Sequence, residues 1–480
     1  MSSATALPRG RPPNILFFFT DDQRYDTIHA LGNPRIVTPA MDSLVDTGTA
    51  FTHAHIMGGS VGAVCMPSRA MLMTGRTLYR IEREGQEIAP GQVLLGEALR
   101  RAGYATFGTG KWHNGPRSYA RSFSAGAEIF FGGMDDHWNV PACAFDPSSR
   151  YELRRPVVRD PFRSNEVSYR VCDHITPGRH SSELFADAAI AFLEAQAAQA
   201  AQAAQAPDRP FFAYVSFMAP HDPRTTPPAY LGRYDPEEID LPPNAFPEHP
   251  FDNGDLRVRD ERLAPSPRDP REIRRHLAEY WAMITHLDAQ IGRVLDVLRR
   301  KGLAEDTIVV LAGDNGLALG QHGLMGKQNL YDHSVRVPLI FSGPGVPPGR
   351  RSDAHCYLLD VYPTLCALAG LPVPETVEGK SLVPAMHDPT ETVRDVLLCA
   401  YRGVQRSARD RRHKLIEYAV GGRRTTQLFD LVDDPWETTN LAGDPARAGD
   451  LTRLRAELGR WRTDLGDDRP GQGEQFWRDT

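Results

Sequence analysis

The stretch Asn14-Ile15-Leu16-Phe17-Phe18-Phe19, running into Thr20-Asp21-Asp22-Gln23, is a continuous apolar run with a polar carboxyl end. A strand that is apolar at every position is one buried on both faces, as in a parallel sheet covered by helices. Two later runs repeat the pattern. Phe211-Phe212-Ala213-Tyr214-Val215-Ser216-Phe217 leads into Met218-Ala219-Pro220-His221, and Thr307-Ile308-Val309-Val310-Leu311-Ala312 leads into Gly313-Asp314-Asn315-Gly316. Helical patterns lie between such runs, among them Leu94 to Ala102 and Leu277 to Arg300, the second with apolar residues at helical spacing. Alternating strands and helices predict an α/β sheet, whose ligands sit beyond the carboxyl ends of its strands. All three runs end there in groups able to bind metal or move protons.

Working outward, Ala195 to Ala206 is an Ala/Gln repeat that extends the preceding helix as a surface spacer without chemistry. Residues 222 to 275 are rich in Pro, Arg and Asp and read as long loops near the mouth of the site. Beyond about residue 370 the pattern changes to the short segments Val396 to Ala400, His413 to Tyr418 and Gln427 to Leu431, then a helix over Leu451 to Trp461. That predicts a small antiparallel sheet with a helix packed on it. A chain of 480 residues is too long for one small domain. The expected division is a catalytic domain over 1–370 and an α+β subdomain over 371–480.

Lys plus Arg number 55 against 61 Asp plus Glu, a net charge of -6, so no nucleic-acid partner is expected. An anionic substrate needs a local cluster of cations instead. Six cysteines, at 65, 143, 172, 356, 366 and 399, lack the spacing of a zinc ribbon or a disulfide framework and read mostly as buried small residues. No stretch approaches membrane-spanning length, and no apolar core of a signal peptide follows the polar N-terminus. The expected location is cytoplasmic, or periplasmic or secreted if a leader has been trimmed.

Asp21 and Asp22, adjacent at the end of a buried strand, repel one another and lose hydration unless a cation neutralises them. Alone, the pair fits a solvated turn or helix cap better than a metal site. Asp314-Asn315 repeats the arrangement at another strand end, and together the two pairs make a hard oxygen cage for Ca²⁺ or Mg²⁺, wrong for a soft thiolate metal. Cys65 stands just before Pro67 and the helical pattern Ser68 to Met73, where a side chain meets free N–H groups and the positive end of a helix. On this ground alone a buried structural cysteine and a reactive thiolate both stay open.

The longer segment is more specific. Cys65-Met66-Pro67-Ser68-Arg69 with Leu72-Met73-Thr74-Gly75-Arg76 resembles the signature of the type I sulfatases, of the alkaline phosphatase superfamily. The similarity begins at Asn14-Ile15-Leu16 and takes in Gly110-Lys111-Trp112-His113, Ala219-Pro220-His221, Gly313-Asp314-Asn315-Gly316 and Gly326-Lys327. It ends with Leu428-Phe429-Asp430-Leu431 and Asp434-Pro435-Trp436-Glu437. The resemblance implies an alkaline-phosphatase-like α/β fold: a mixed, mostly parallel sheet sandwiched by helices, with a smaller C-terminal antiparallel sheet plus helix.

It further implies that a maturation enzyme oxidises Cys65 to Cα-formylglycine, whose hydrate attacks sulfur. One divalent cation, calcium with magnesium as the alternative, is implied at Asp21, Asp22, Asp314, Asn315 and residue 65. Asp314 is then the proton acceptor beside the attacking hydroxyl. Arg69, Lys111 and Lys327 stabilise the sulfuryl oxygens, His221 with Lys327 protonates the leaving alcohol, and His113 takes the proton whose loss expels sulfate.

Several other residues carry two readings. Gln321, His322, His333 and Arg336 are placed either near substrate or in packing, Trp112 and Trp138 either against a sugar or aryl ring or in the core, and His53 and His55 as structural. The expected substrate is a small sulfate ester or sulfated oligosaccharide, a sulfated sugar first and choline or aryl sulfate as alternatives. The loops around 115–180 and 222–275 are expected to select it. Two rivals remain: a phosphonate monoester or phosphodiester hydrolase using the same formylglycine, and an inactive relative that binds sulfated glycans.

Overall fold

The computed structural model describes residues 11–81, 85–158, 166–202, 209–469 and 473–478. Residues 1–10 and the end of the Ala/Gln repeat, 203–206, lie outside them. Thirteen strands matter here, numbered in chain order. β1 is Asn14–Thr20, β2 Gly48–Phe51, β3 Gly58–Gly59, β4 Ala105–Lys111, β5 Ala125–Phe130, β6 Phe211–Ser216 and β7 Thr307–Gly313. β8 is Leu339–Ser342, β9 Arg350–Ser352, β10 Leu397–Tyr401, β11 Gln405–Arg409, β12 His413–Val420 and β13 Arg423–Asp430.

The main sheet has the order β9-β2-β8-β7-β1-β6-β4-β5, and β8 alone runs against the others. The three apolar runs are its centre, side by side, as their composition requires. Ile15, Phe17 and Phe19 enter one hydrophobic core, while Leu16 and Phe18 enter the other on the opposite face. Helix α1 (Pro39–Thr47), α3 (Ser181–Gln202) and α4 (Pro270–Arg300) cover the second face, and α2 (Cys65–Thr74) lies on the first. α3 carries the Ala/Gln repeat as far as Gln202.

Helix α4 starts earlier than its apolar pattern suggests. Asp269 accepts from Arg271 N and Pro270 occupies the first turn, a strong start signal. Only Ile273 is apolar among Arg271, Glu272, Ile273, Arg274 and Arg275, so the exposed first turns hide the period.

Asp288 of α4 caps α1, whose own N-cap residue Thr38 makes no side-chain capping bond to the helix backbone. Its carboxyl accepts from Met41 N at 2.8 Å and Ala40 N at 3.1 Å. Burial nevertheless pushes the group up to about 7, against an ordinary 3.8. An acid raised in this way favours folding fully below its unfolded pKa, and that contribution is lost as pH rises through about 7. Asp288→Asn carries a constant cost from its mismatched amide but no titration. The gap in Tm between wild type and variant is therefore expected to narrow between about pH 5 and pH 8. Parallel melting curves across that range would place the titration elsewhere.

The second sheet has the order β13-β12-β11-β10-β3, antiparallel from β10 to β13. Helix α5 (Ala448–Trp461) packs Leu454 and Leu458 against Ala408, Leu415 and Leu428 of the sheet. Two of its strands escape a hydrophobic reading. β11 is Gln-Arg-Ser-Ala-Arg, yet all five residues are buried, because Arg406 is paired with Asp467 and Arg409 with Asp332. β3 comes from the N-terminal part of the chain and pairs parallel to β10 through Ala400↔Gly58 and Tyr401↔Gly59. Gly58 has φ +89°, and a Cβ there would stand 2.0 Å from the Ala400 carbonyl oxygen. The C-terminal sheet thereby grips the chain just before Cys65.

Candidate active site

The carboxyl ends of β1, β4, β6 and β7 share one edge, since Thr20 pairs with Gly313, Phe19 with Ser216 and Gly110 with Ser216. The register between β4 and β5 shifts between Thr109 and Gly110, where Glu128 of β5 is the extra residue of a bulge. Opposite it β4 turns at Gly110, which has φ +84° and where a Cβ would fall 1.9 Å from Ser216 O. The turn delivers Lys111 to the centre of the edge. Beyond the strands the backbone enters the left-handed region at Asp22 (φ 63°) and His113 (φ 65°), a cost that over-determined sites carry.

Side chains from the ends of β1, β4, β6 and β7, from α2 and from the loop that carries Lys327 meet there. Asp314 N donates to Thr20 O at 3.0 Å, and Asp22 N donates to Asp314 Oδ1 at 3.0 Å. Asn315 Nδ2 and Lys327 Nζ both reach Asp22 Oδ1 at 2.6 Å. Lys111 Nζ contacts Asp21 Oδ2 and stands 3.5 Å from Cys65 Sγ. From the first turn of α2, Arg69 Nε donates to Asp314 Oδ2 at 2.9 Å and Nη1 to Ser216 Oγ at 2.6 Å, while Ser68 Oγ donates to Asp314 O at 2.5 Å. His113 Nδ1 lies 3.4 Å from the Cys65 sulfur.

Three buried oxygens in this cluster have no hydrogen-bond partner: Asp21 Oδ1, Asp22 Oδ2 and Asn315 Oδ1. Ligand atoms of Asp21, Cys65 and Asp314 lie within 4.8 Å of one another. Hard oxygen donors left unsatisfied at zero exposure fit a divalent cation of the calcium or magnesium kind. The electrostatics agree. Burial and then the Asp21 charge push the Asp314 carboxyl up to about 7. Asp21 goes the other way: burial opposes its charge, but Lys111, His221, Arg69 and Lys327 outweigh that and hold it well below the usual carboxylate range. The two carboxylates compete for the same positive surroundings, a conflict a bound cation removes.

Burial pushes the Cys65 thiol up, although Lys111 and Lys327 pull the other way, so the side chain is not set up as a thiolate. Burial, then Lys111 and Arg69, hold His113 well below its ordinary value, leaving a neutral imidazole able to accept a proton. Burial opposes the Lys327 charge, yet Asp22 wins and holds its ammonium well above the usual range. His221 bonds through Nδ1 to the Asp222 carbonyl at 2.8 Å, with Nε2 3.6 Å from Asp22 Oδ2.

A cavity of about 310 Å³ opens onto this cluster. Cys65, His113, His221 and Lys327 form part of its lining; Arg69 and Lys111 do not, and both are wholly buried behind it. Its outer wall brings Gly133 and Met134 from one long loop and Val258, Arg259 and Asp260 from the other, with Gln328 beside them. Arg259 is paired with Asp222 and with Asp260, and Gln328 Nε2 donates to Asp260 Oδ2 at 2.7 Å. Neither Arg259 nor Asp260 stands out in sequence, because only the path of an irregular loop brings them to the site.

The residues with two readings fall out as packing. Trp112 is buried and donates to Gly115 O and Ser118 Oγ; Trp138 donates to Thr225 O. His322 stacks on Tyr331 with ring centroids 3.7 Å apart, and Gln321 lies beside it against Asn244. His333 is buried behind Gly316, and Arg336 lies over the Tyr25 ring. His55 meets Arg409 and Asp332, and His53 meets Thr52, as structural residues do.

A buried acidic cluster beside a cysteine, at one edge of a helix-covered, mostly parallel sheet, fits the alkaline-phosphatase-like hydrolase that the resemblance implies. Comparison with known proteins gives the family. The family model described as Sulfatase matches residues 13–371, three quarters of the chain, and a model described as N-sulphoglucosamine sulphohydrolase, C-terminal, matches 320–464. The chain belongs to the type I sulfatase family and is a sulfuric ester hydrolase. It is 29% identical to the Ulvan-active sulfatase of Formosa agariphila, over 95% of this chain and 82% of that one. Its fold matches that of BT4656, solved in complex with its substrate D-glucosamine-2-N,6-O-disulfate, with a TM-score of 0.71 at 23% identity, covering 96% of this chain and 99% of that one. The phosphonate monoester hydrolase of Agrobacterium radiobacter shares the fold, with a TM-score of 0.70 at 23% identity over 94% and 96% of the two chains.

Proposed function

We propose that this sulfatase removes sulfate from a sulfated sugar, using Cα-formylglycine made from Cys65 by a maturation enzyme. The reading is carried by one observation: the Cys65 side chain sits where the cavity floor, the unsatisfied oxygens and the His113 ring converge. Asp21, Asp22, Asp314 and Asn315, with residue 65, hold one divalent cation, calcium with magnesium as the alternative. When bound, that cation supplies Lewis acidity and offsets the crowded carboxylates.

The chain's own residues do the rest. Lys327, anchored on Asp22, presents its ammonium group to the sulfuryl oxygens from the cavity lining, and Lys111, anchored on Asp21 behind residue 65, adds its charge from beneath; both lower the cost of charge moving onto the leaving oxygen. Arg69 orients Asp314, which takes the proton of the attacking hydroxyl. His113, neutral and next to residue 65, accepts the later proton. His221, which lines the cavity and has Nε2 3.6 Å from Asp22 Oδ2, donates to the leaving alcohol.

A sugar is favoured because Arg259, Asp260 and Gln328 on the wall hydrogen-bond hydroxyls, while none of the described lining residues carries a phenyl, phenol or indole ring to face an aryl group. The Ulvan-active relative and the sugar disulfate held by the similar structure support the same class. The fold shared with a phosphonate monoester hydrolase keeps that activity as the second reading.

A panel of sulfated mono- and disaccharides, choline sulfate, an aryl sulfate and a phosphate diester, run on matured enzyme, tests the assignment. The highest kcat/KM is expected on a sulfated sugar. A faster choline or aryl ester would overturn the substrate class, and a strong diester preference would favour the phosphonate hydrolase reading. Mass spectrometry of the peptide containing residue 65 is expected to find formylglycine; unmodified cysteine in fully active protein would defeat the mechanism.

A further inference from the structure

The loop that brings Met134 to the cavity wall continues into His137, which is completely buried. Both of its ring nitrogens are engaged. Nε2 lies 3.0 Å from the main-chain carbonyl oxygen of His221, and Nδ1 lies 2.7 Å from Ser181 Oγ. A carbonyl only accepts, so Nε2 carries the proton, and Nδ1 of the neutral ring accepts from the Ser181 hydroxyl. Burial pulls the ring down to about 4, which keeps it in that one tautomer near neutral pH. Ser181 N donates back to His137 O at 2.7 Å, locking the loop to the start of α3. The His180 ring lies parallel at 5.1 Å, with Trp138 and His286 edge-on to it, so the imidazole is held by packing as well.

The bond to His221 falls at an informative place. His221 steers its own ring by donating Nδ1–H to the carbonyl of Asp222, one residue on. Its orientation therefore depends on the peptide group joining 221 to 222, and the oxygen of that peptide is the one His137 holds. None of this is visible in sequence, because His137 and His221 are far apart in the chain and the ring's hydrogen bonds go to Ser181 and to the His221 backbone.

We propose that His137 is a positioning residue for proton transfer to the leaving group. By donating to the His221 carbonyl it fixes the backbone from which His221 presents Nε2, and it ties that backbone to the Met134 wall of the cavity. The inference rests on the reading of His221 as proton donor. As the ester S–O bond breaks and sulfur bonds to the attacking oxygen on residue 65, the electron pair of the broken bond stays on the ester oxygen, a proton moves to that oxygen from Nε2 of His221, and the alcohol is released. The need for this proton grows as the leaving alcohol becomes less acidic.

The test uses aryl sulfates graded from 4-nitrophenyl to 4-methoxyphenyl, with rates normalised to formylglycine content and Tm recorded for each variant. In His137→Phe, kcat on the 4-methoxyphenyl ester is expected to fall by about tenfold or more, while the 4-nitrophenyl ester changes less than about threefold and KM moves little. His137→Gln, whose amide nitrogen can reach the same carbonyl, is expected to recover most of the loss. His221→Ala is expected to show the same leaving-group dependence with larger amplitude. Should His137→Phe not fold, Ser181→Ala carries the test: it removes only the hydroxyl that fixes the tautomer, and a smaller loss of the same form is expected.

Equal losses across the ester series in the His137 and Ser181 variants would reduce His137 to a structural residue and overturn the proposal. Leaving-group dependence in His221→Ala but in neither of these would overturn the proposal alone. A His221→Ala enzyme without such dependence would remove the proton-donor reading, and this proposal with it.

Discussion

Cys65→Ala is expected to give a folded protein that still binds its cation but turns over sulfate esters at background, a loss of roughly 10⁴-fold or more in kcat. The fold should survive because α2 is held by other bonds, from Ser68 to Asp314 O and from Arg69 to Asp314 and Ser216. The chemistry should not, because a methyl group places no oxygen between His113 and Lys111. Cys65→Ser separates the two halves of the reaction. A single hydroxyl can accept one sulfo group from an ester, but it lacks the second hydroxyl whose deprotonation expels sulfate. The serine variant is therefore expected to release about one equivalent of alcohol per chain and then stop, with one sulfo group found on residue 65 by mass spectrometry. Sustained turnover by the serine variant would contradict the two-hydroxyl requirement. Activity in Cys65→Ala would remove residue 65 from the reaction.

The core of this site was readable in the chain because it lies at strand ends. Asp21-Asp22, His221 and Asp314-Asn315 each follow a run whose apolar character forces it into the sheet centre, so the edge collects them by construction, whereas Lys111 follows Ala-Thr-Phe-Gly-Thr-Gly, which carries no such signal, and was legible only through its motif. Arg69 was legible as part of a motif but not in its placement, since a short helix offers no periodic signal for which side reaches Asp314. The loops that build the cavity wall were legible as segments near the mouth of the site, but which of their residues reach it was not, and neither was His137. They come from irregular segments whose side chains meet the site through tertiary contacts, where no local pattern operates. The C-terminal sheet was half legible for a related reason. β11 is polar and buried only through its Arg–Asp pairs, and β3 is two glycines that become a strand by pairing with β10.

Asp314 tests the cation cage without depending on maturation. Its carboxyl receives Asp22 N and Arg69 Nε, and burial, then its crowding with Asp21, raises its proton affinity. Asp314→Ala removes a ligand and leaves the Arg69 guanidinium, which has no exposure, without its nearest anion, a change that costs about 3–5 kcal/mol when a buried pair is broken. Loss of activity there could follow from either effect. Asp314→Asn separates them, because it keeps the shape and one oxygen while removing the charge. Both variants are expected to lose turnover to background and to retain well under one cation per chain after dialysis, where wild type holds one. Added Ca²⁺ should raise the wild-type Tm in proportion to RT ln(1 + [Ca²⁺]/Kd) and leave both variants unshifted at the same concentrations. A stoichiometric cation in Asp314→Asn, with the wild-type calcium dependence of Tm, would place the cage elsewhere and leave Asp314 as the partner of Arg69 alone.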